Sequence, residues 1–365
     1  MASFLKKAWN YFAVKVFNKV IGRVWKFDDN KPHIIHEQKD KHLINTYYPG
    51  VDVPTLNEHN SKDRYLIEQF TEYVYKFDNP VVVEPQLGWV VTGKYSLSKK
   101  SFPYIEDPWD KPKAKPSLGK FILPKKVVKI KSCISIRYYW QNYYHFLTDT
   151  LAQVYLANEH IPMDVPILVP HVFGKLKYVE QFMRLSNFLS GRKIIVQQPD
   201  EYYEVAELYV CKGTFYSDAI IKVVESFGKP VGQKAGGRKL FLTRAPHRGR
   251  NISNIAEIEQ VVSSFGFEIV DPDNNNLAEQ VALFADAAMI IGIHGAGLVN
   301  IIFRNGGPLK VLEIFPANTK PAHYRNLSIK FKYDYDSITG SDMEGGSFYL
   351  DPEQLREKLA TFSTP

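Results

Sequence analysis

The segment Met289-Ile290-Ile291-Gly292-Ile293-His294-Gly295-Ala296-Gly297-Leu298-Val299-Asn300 constrains the fold of this chain more than any other. Its short apolar start is the pattern of a strand buried on both faces. It runs into a loop with one histidine and closely spaced glycines, and the apolar pattern then resumes. Glycines at such a place let backbone N–H groups approach a ligand with no Cβ in the way. A helix over residues 298–304 would turn its partly positive N-terminus to the same spot, which suits a phosphate or diphosphate. The plain alternative is a strand-to-helix turn with a capping histidine, and an isolated glycine-rich loop does not decide between them.

That segment belongs to a longer alternation. Val127 to Ile136 reads as a strand, Gln141 to Glu159 as a helix, Pro166 to Val169 as a strand, Lys175 to Leu189 as a helix and Lys193 to Val196 as a strand. A second series runs through Lys239 to Thr243 (strand), Ser253 to Phe265 (helix), Phe267 to Val270 (strand), Leu277 to Phe284 (helix), Ala288 to Ile293 (strand), Leu298 to Phe303 (helix) and Lys310 to Phe315 (strand). Ser253 and Asn254 are candidate caps ahead of Glu257. Such alternation predicts an α/β fold of parallel sheets with helical crossovers. Two series joined near residues 213–237 predict two Rossmann-like domains facing a cleft, over residues 126–225 and 226–350. Ligands in such sheets bind outside the carboxyl ends of the strands. Residues 28–125 read as an irregular β-rich region, with a polar linker over 28–45 and an exposed loop from Asp107 to Pro116. Residues 351–365 read as a closing C-terminal helix.

The formal net charge of +7 is concentrated at one end. Residues 1–27 carry Lys6, Lys7, Lys15, Lys19, Arg23 and Lys26 and no acid, so the rest of the chain is nearly neutral. The basic balance is therefore no mark of a nucleic-acid binder. Phe4, Leu5, Trp9, Phe12 and Val16 interleave with those cations. This predicts a basic amphipathic helix on an anionic membrane surface, the alternative being a helix docked on the protein's own core. Its longest uncharged run, Ala8 to Val14, is far below the roughly 20 residues of a bilayer span. Cys133 and Cys211 have no framework spacing, so a reducing cytosol is expected, with the chain cytoplasmic and peripheral to a membrane. With 22 Tyr and 23 Phe, the body has apolar material for a sizeable core, and global disorder is excluded.

Three constellations can carry chemistry. Asn142, His145 and Asp149 fall at i, i+3 and i+7 of a helix and share one face. A carboxylate four residues after a histidine holds one tautomer and raises the ring's basicity, which is a general-base arrangement; the alternative is a satisfied polar helix face. Thr243-Arg244-Ala245-Pro246-His247-Arg248-Gly249-Arg250-Asn251 follows a strand, and its arginines suit bidentate phosphate contacts. Arg248 reads as a solvated surface residue, Arg244 and Arg250 as ligand-binding ones. The third is the His294 loop, joined by Glu313, an acid inside the apolar strand Val311 to Phe315 that needs a partner. It either meets a sugar or ribose hydroxyl or pairs with a nearby cation.

The glycines follow a late strand, which disfavours a dinucleotide dehydrogenase, and no G-x-x-x-x-G-K-[ST] loop marks a P-loop NTPase. The further expectation is that no D-x-D pair clamps a divalent metal, so neither metal nor cofactor is expected.

Taken together, N-x-x-H-x-x-x-D (Asn142, His145, Asp149), Thr243-Arg244 with Arg250, His294 through Asn300 and then Glu313 resemble glycosyltransferase family 61 in order and spacing across residues 126–316. One departure is Asn254, followed by Ile255 where the family often has glutamate. The resemblance implies a GT-B-like architecture and an inverting, metal-independent transfer of a sugar from a nucleotide-sugar donor, UDP-linked by family analogy. The acceptor would be a glycan or lipid-linked molecule in surface polysaccharide biosynthesis. It implies acceptor binding in residues 126–225 and donor binding in 226–350. His145 and Asp149 would be catalytic, and Asn142, Arg244, Arg250, His294, Gly295, Ala296, Gly297, Leu298, Asn300 and Glu313 would bind the donor. Two other readings are a non-catalytic membrane-associated nucleotide- or glycan-binding protein and a pyruvyl transferase on a similar scaffold.

Overall fold

The computed structural model describes residues 26–28, 32–39, 71–85, 88–93, 96–101, 126–137, 142–189, 191–213, 218–227, 237–244, 248–305, 307–318 and 321–362. The amphipathic helix expected over 1–27 lies outside the described residues apart from Lys26 and Phe27, which stand in a strand, and so does the loop from Asp107 to Pro116.

The first sheet comprises β1 Lys26–Asp28, β2 His33–Lys39, β3 Thr71–Phe77, β4 Val81–Val83, β5 Val90–Gly93, β6 Ser96–Ser98, β7 Lys126–Ser135, β8 Ile167–Pro170, β9 Ile194–Gln197 and β10 Glu201–Lys212. β7, β8 and β9 are parallel neighbours, as the alternation predicts. β10 departs from the expected all-parallel sheet. It pairs in parallel with β7 on one edge and antiparallel with β3 and β4 on the other. Glu201, Glu204 and Glu207 interrupt its apolar pattern and disguise it in the sequence. Val205, Leu208, Val210 and Cys211 are nevertheless fully buried in it. The expected linker over 28–45 is corrected too: His33–Lys39 is a strand paired antiparallel with β3.

The helix after β7 is one continuous run, α1. Tyr143–His145 makes the first α turn, Phe146–Thr150 is π-helical, and Leu151–His160 returns to α geometry. Asn142 caps its start by accepting the His145 N–H at 3.1 Å. Gly213, just past β10, is pressed on this helix: a Cβ there would lie 2.5 Å from the Cβ and 2.6 Å from the carbonyl carbon of Ala152. Gly213→Ala is therefore expected to destabilise the protein by about 2 kcal/mol or more, read as a fall in denaturation midpoint. Among the described residues this part also holds α2 Lys177–Leu185 and α3 Ala219–Glu225.

The second sheet is made of β11 Arg238–Leu242, β13 Glu268–Val270, β14 Ala287–Ile293, β15 Lys310–Phe315 and β16 Asp334–Thr339, all parallel, in the order β13-β11-β14-β15-β16. A short pair, β12 Asn251–Ile252 with β17 Ser347–Phe348, stands apart. The helices are α4 Ile255–Ser264, α5 Leu277–Ala285, α6 His323–Phe331 and α7 Pro352–Phe362. Asn254 stands before α4 but does not cap it; its side chain grips the backbone of Leu350 instead. Residues after the glycine loop form a 3₁₀ run, Ala296–Arg304, where an α-helix is expected. Such runs rarely exceed 3–4 residues, so the rest of the fold holds this one in place. Six of its residues, Leu298 to Phe303, are buried.

Alternate side chains of the second sheet face opposite cores, which is why its strands read as unbroken apolar runs. Leu240, Ile290 and Val311 join Ile134, Leu151 and Ile167 of the first part, with Leu298, Val299 and Ile302, in one apolar cluster. Phe241, Ile291 and Leu312 join Ile258 and Val262 of α4 and Leu355 and Leu359 of α7 in another. Each such side chain contributes about 1.5–3 kcal/mol on burial. The order β13-β11-β14 means that the connections leaving β11 and β14 diverge between those two strands. In open parallel sheets ligands bind at that switch point.

Candidate active site

A cavity of about 670 Å³ opens at the carboxyl ends of β13, β11 and β14, and the start of α1 forms its opposite wall. Across the switch point, Arg244 Nη1 after β11 donates to the carbonyl oxygen of His294 after β14, at 3.2 Å.

His145 lines the cavity, and its Nδ1 lies 2.5 Å from Asp149 Oδ2. Thr148 Oγ1 donates to the other carboxylate oxygen of Asp149 at 3.0 Å. With Nδ1 committed to the carboxylate, the neutral ring carries its proton there and offers Nε2 as a base. The π turn lies between the two residues, yet the i,i+4 pair forms.

The His294 loop repeats this arrangement on the other wall. His294 Nδ1 is 2.5 Å from Glu313 Oε1, and Tyr335 donates its hydroxyl to Glu313 Oε2 at 2.7 Å. Glu313 is 0% exposed and sits behind His294. Glu313→Leu strands His294 and Tyr335, and is expected to cost about 3 kcal/mol in an unfolding titration.

Between these walls lies a cluster of three guanidiniums. Arg244, Arg248 and Arg250 all line the cavity, and among the described residues only Arg248 has a carboxylate partner, Asp273 at 2.8 Å. Burial, then Arg250 and Arg248, hold the Arg244 guanidinium below its usual pKa. Its Nε is buried without a hydrogen-bond partner. Arg250 adopts a left-handed backbone, φ 57°, directly after Gly249 at φ 64°. A non-glycine residue held that way stores strain, and such strain gathers at binding sites.

One glycine of the loop also makes room for a neighbouring side chain. Gly295 has an extended φ of 176°, and a Cβ on it would lie 2.7 Å from Arg244 Nη1. Its missing side chain makes room for the arginine. Ala296, Gly297 and Leu298 also line the cavity. Asn142 lines it too, while its Oδ1 serves as the cap. Asn300 is fully buried, off the cavity wall: it accepts from Tyr143 OH at 2.8 Å and donates to Gln280 at 2.7 Å, tying α1 to α5.

The structure adds residues that sequence patterns do not reveal. His323, at the start of α6, lines the cavity beside both dyads, its ring 5.9 Å from that of His294. The residue is exposed at the cavity, yet the atoms packed around its ring, then His294 and His145, push its pKa down to about 4. Tyr324 donates its hydroxyl to the Gly295 carbonyl at 2.5 Å, pinning the loop from behind. The expectation of no D-x-D pair needs correction: Asp271-Pro272-Asp273 is one, and it lines the cavity. Asp273 is engaged by Arg248, and Asp271 accepts the Asp273 N–H at 3.0 Å. Among the described residues no group of three or more His, Cys, Asp or Glu is gathered to hold a metal, and no helix is long and apolar enough to cross a membrane. Cys133 and Cys211 are free and buried, their thiols pushed up to about 12 by burial.

This geometry puts a histidine held by a carboxylate across one cavity from a cluster of three arginines at a switch point. Residues 143–312 match the family model described as Glycosyltransferase 61. A curated relative from Oryza sativa subsp. japonica, named beta-1,2-xylosyltransferase XAX1, is 22% identical over 206 residues. That match covers 50% of this chain and 36% of the relative, so the aligned region spans about a third of that protein. Residues 143–312 of this chain thus belong to glycosyltransferase family 61.

Proposed function

We propose that this chain is an inverting, metal-independent glycosyltransferase using a nucleotide-sugar donor and a glycan or lipid-linked acceptor. The observation that carries the reading is His145, held by Asp149, facing across one cavity Arg244 and Arg250, which have no carboxylate partner among the described residues. The acceptor hydroxyl oxygen attacks the anomeric carbon, its proton passes to His145 Nε2, and the bond to the diphosphate oxygen breaks. Arg244 and Arg250 take up the charge on the departing diphosphate, with Arg248 beside them. Because Asp273 is committed to Arg248, the guanidiniums supply the electrostatic role a divalent cation would otherwise fill. The two sheets then act as the acceptor and donor halves of a GT-B-like pair. Residues 1–27 would hold the enzyme to an anionic membrane on the cytoplasmic side, where surface polysaccharides are built.

The equal geometry of His294 and Glu313 favours a second reading in which His294 takes the proton. His145 is preferred because its side chain is 24% accessible against 9% for His294. Product analysis tests the reaction type. The name of the rice relative makes a xylosyl donor the first to try, with hexosyl donors beside it, on an oligosaccharide panel. A product whose anomeric configuration is opposite to the donor's supports direct displacement; a retained configuration sinks it.

A further inference from the structure

The His145–Asp149 pair has a third member, off the cavity wall. Thr148 is fully buried in the π-helical segment Phe146–Thr150. Apolar side chains fasten that segment to the core. Phe146 meets Phe173, Tyr178 and Phe182, and Leu147 joins the same cluster as Ile220 and Val223 of α3. The backbone of Asp149 is fastened separately, through Gln153. Gln153 Nε2 donates to the Arg137 carbonyl at 3.1 Å and to the Asp149 carbonyl at 3.4 Å, and its Oε1 accepts the Arg137 N–H at 3.1 Å. Neither fastening uses the Thr148 hydroxyl.

That hydroxyl has a choice of acceptor. Oγ1 stands 2.9 Å from the Tyr144 carbonyl oxygen and 3.0 Å from Asp149 Oδ1, and it has one proton to give. A bond to the carbonyl four residues back is a local helix contact and no more. The carboxylate is charged and therefore the stronger acceptor, so it takes the proton. Asp149 then has Oδ1 on Thr148 and Oδ2 on His145 Nδ1, which fixes the plane of the carboxylate and, through it, the direction of the ring.

Resting on the transferase reading, we infer that Thr148 is a positioning residue for this pair: its hydroxyl keeps the Asp149 carboxylate ionised and aimed, so that His145 Nε2 is free to receive the acceptor's proton. The bond favours the charged carboxylate. Adding a proton to the pair cancels that charge, so the hydroxyl opposes protonation and its loss favours it. His323 of α6 lies near both members of the pair. His294, backed by Glu313, and the three arginines face them across the cavity. α2 and α3 turn Phe182, Ile220 and Val223 to the segment. A change confined to Thr148 leaves all of these in place.

Thr148→Val keeps the shape of the side chain and removes the hydroxyl, and Thr148→Ala removes it with no branched side chain to fit into the turn. Thr148→Ser keeps the hydroxyl. An NMR titration of the His145 ring in the full chain, its signal identified by its loss in His145→Ala, reads the pair without any need for activity. In the valine and alanine variants the ring is expected to titrate about one pH unit higher than in the native chain, and in the serine variant at the native position. The acidic limb of the kcat/KM profile is expected to move up with it, with kcat about tenfold lower and the KM for the donor unchanged. A ring titration that does not move in a folded valine or alanine variant, or one that serine fails to restore, overturns the inference and leaves the hydroxyl to the Tyr144 carbonyl alone. A titration that moves as expected in a chain that forms no product from any donor upholds the positioning of His145 and overturns the transferase reading instead.

Discussion

His145→Ala is expected to lower turnover by about 10²- to 10⁴-fold while leaving affinity for the donor nucleotide unchanged. The reason is positional. His145 belongs to the start of α1, opposite the arginines, and makes its ring contact with Asp149 of its own helix. Its removal takes away the proton acceptor and leaves the anion site intact. Stability is expected to change little, because the pair is partly open to solvent, with side chains 24% and 17% accessible. Asp149→Asn is expected to fall between the variant and the native enzyme, since the ring keeps its place but loses the carboxylate that selects its tautomer. Single-turnover kinetics beside nucleotide titration separate these effects. A His145→Ala enzyme that turns over normally but binds the donor poorly would assign the residue to binding, and His294 would become the base.

Arg250→Gly is expected to cost about 10²- to 10³-fold in kcat/KM and at the same time to leave the melting temperature unchanged or higher. Arg250 holds a left-handed backbone that glycine adopts without strain. A residue whose replacement relieves strain yet removes activity is kept for its side chain. Arg244→Gly offers no such separation, because Arg244 also bonds the carbonyls of His294 and Arg248 and fastens two loops. A melting temperature that drops sharply in Arg250→Gly would mean that the guanidinium serves the fold instead.

How much of this was legible from residues alone depended on distance along the chain. The strand Ala287–Ile293 and its glycine loop stand out because both faces of the strand are buried, giving an unbroken apolar run. His145 and Asp149 are legible because one helical turn joins them, even through a π-helical segment. The partnership of Glu313 with His294 was narrower in its signal: an acid in an apolar strand demands a partner but does not name it. His323 gave no local sign, since it gains meaning only when α6 folds back beside two other histidines. β10 was hidden by glutamates that lie on a mostly buried strand, and β2 by polar residues on a strand with exposed positions. The contact of Gly295 with Arg244 was not legible, because the two are 51 positions apart in sequence.

The central claim is that the arginine cluster and the His294 loop bind a nucleotide-sugar diphosphate without a metal. The most direct measurement is the melting temperature of the purified chain against UDP-, GDP-, CMP- and ADP-sugars, with and without EDTA. Binding to the native state raises it by mass action, by about 2.7 kcal/mol of stability at a hundredfold excess over Kd. The expected result is a rise with one nucleotide class that survives EDTA and is lost in Arg250→Gly. A rise abolished by EDTA would contradict the metal-free diphosphate site, and no rise with any nucleotide in folded protein would contradict the donor site itself.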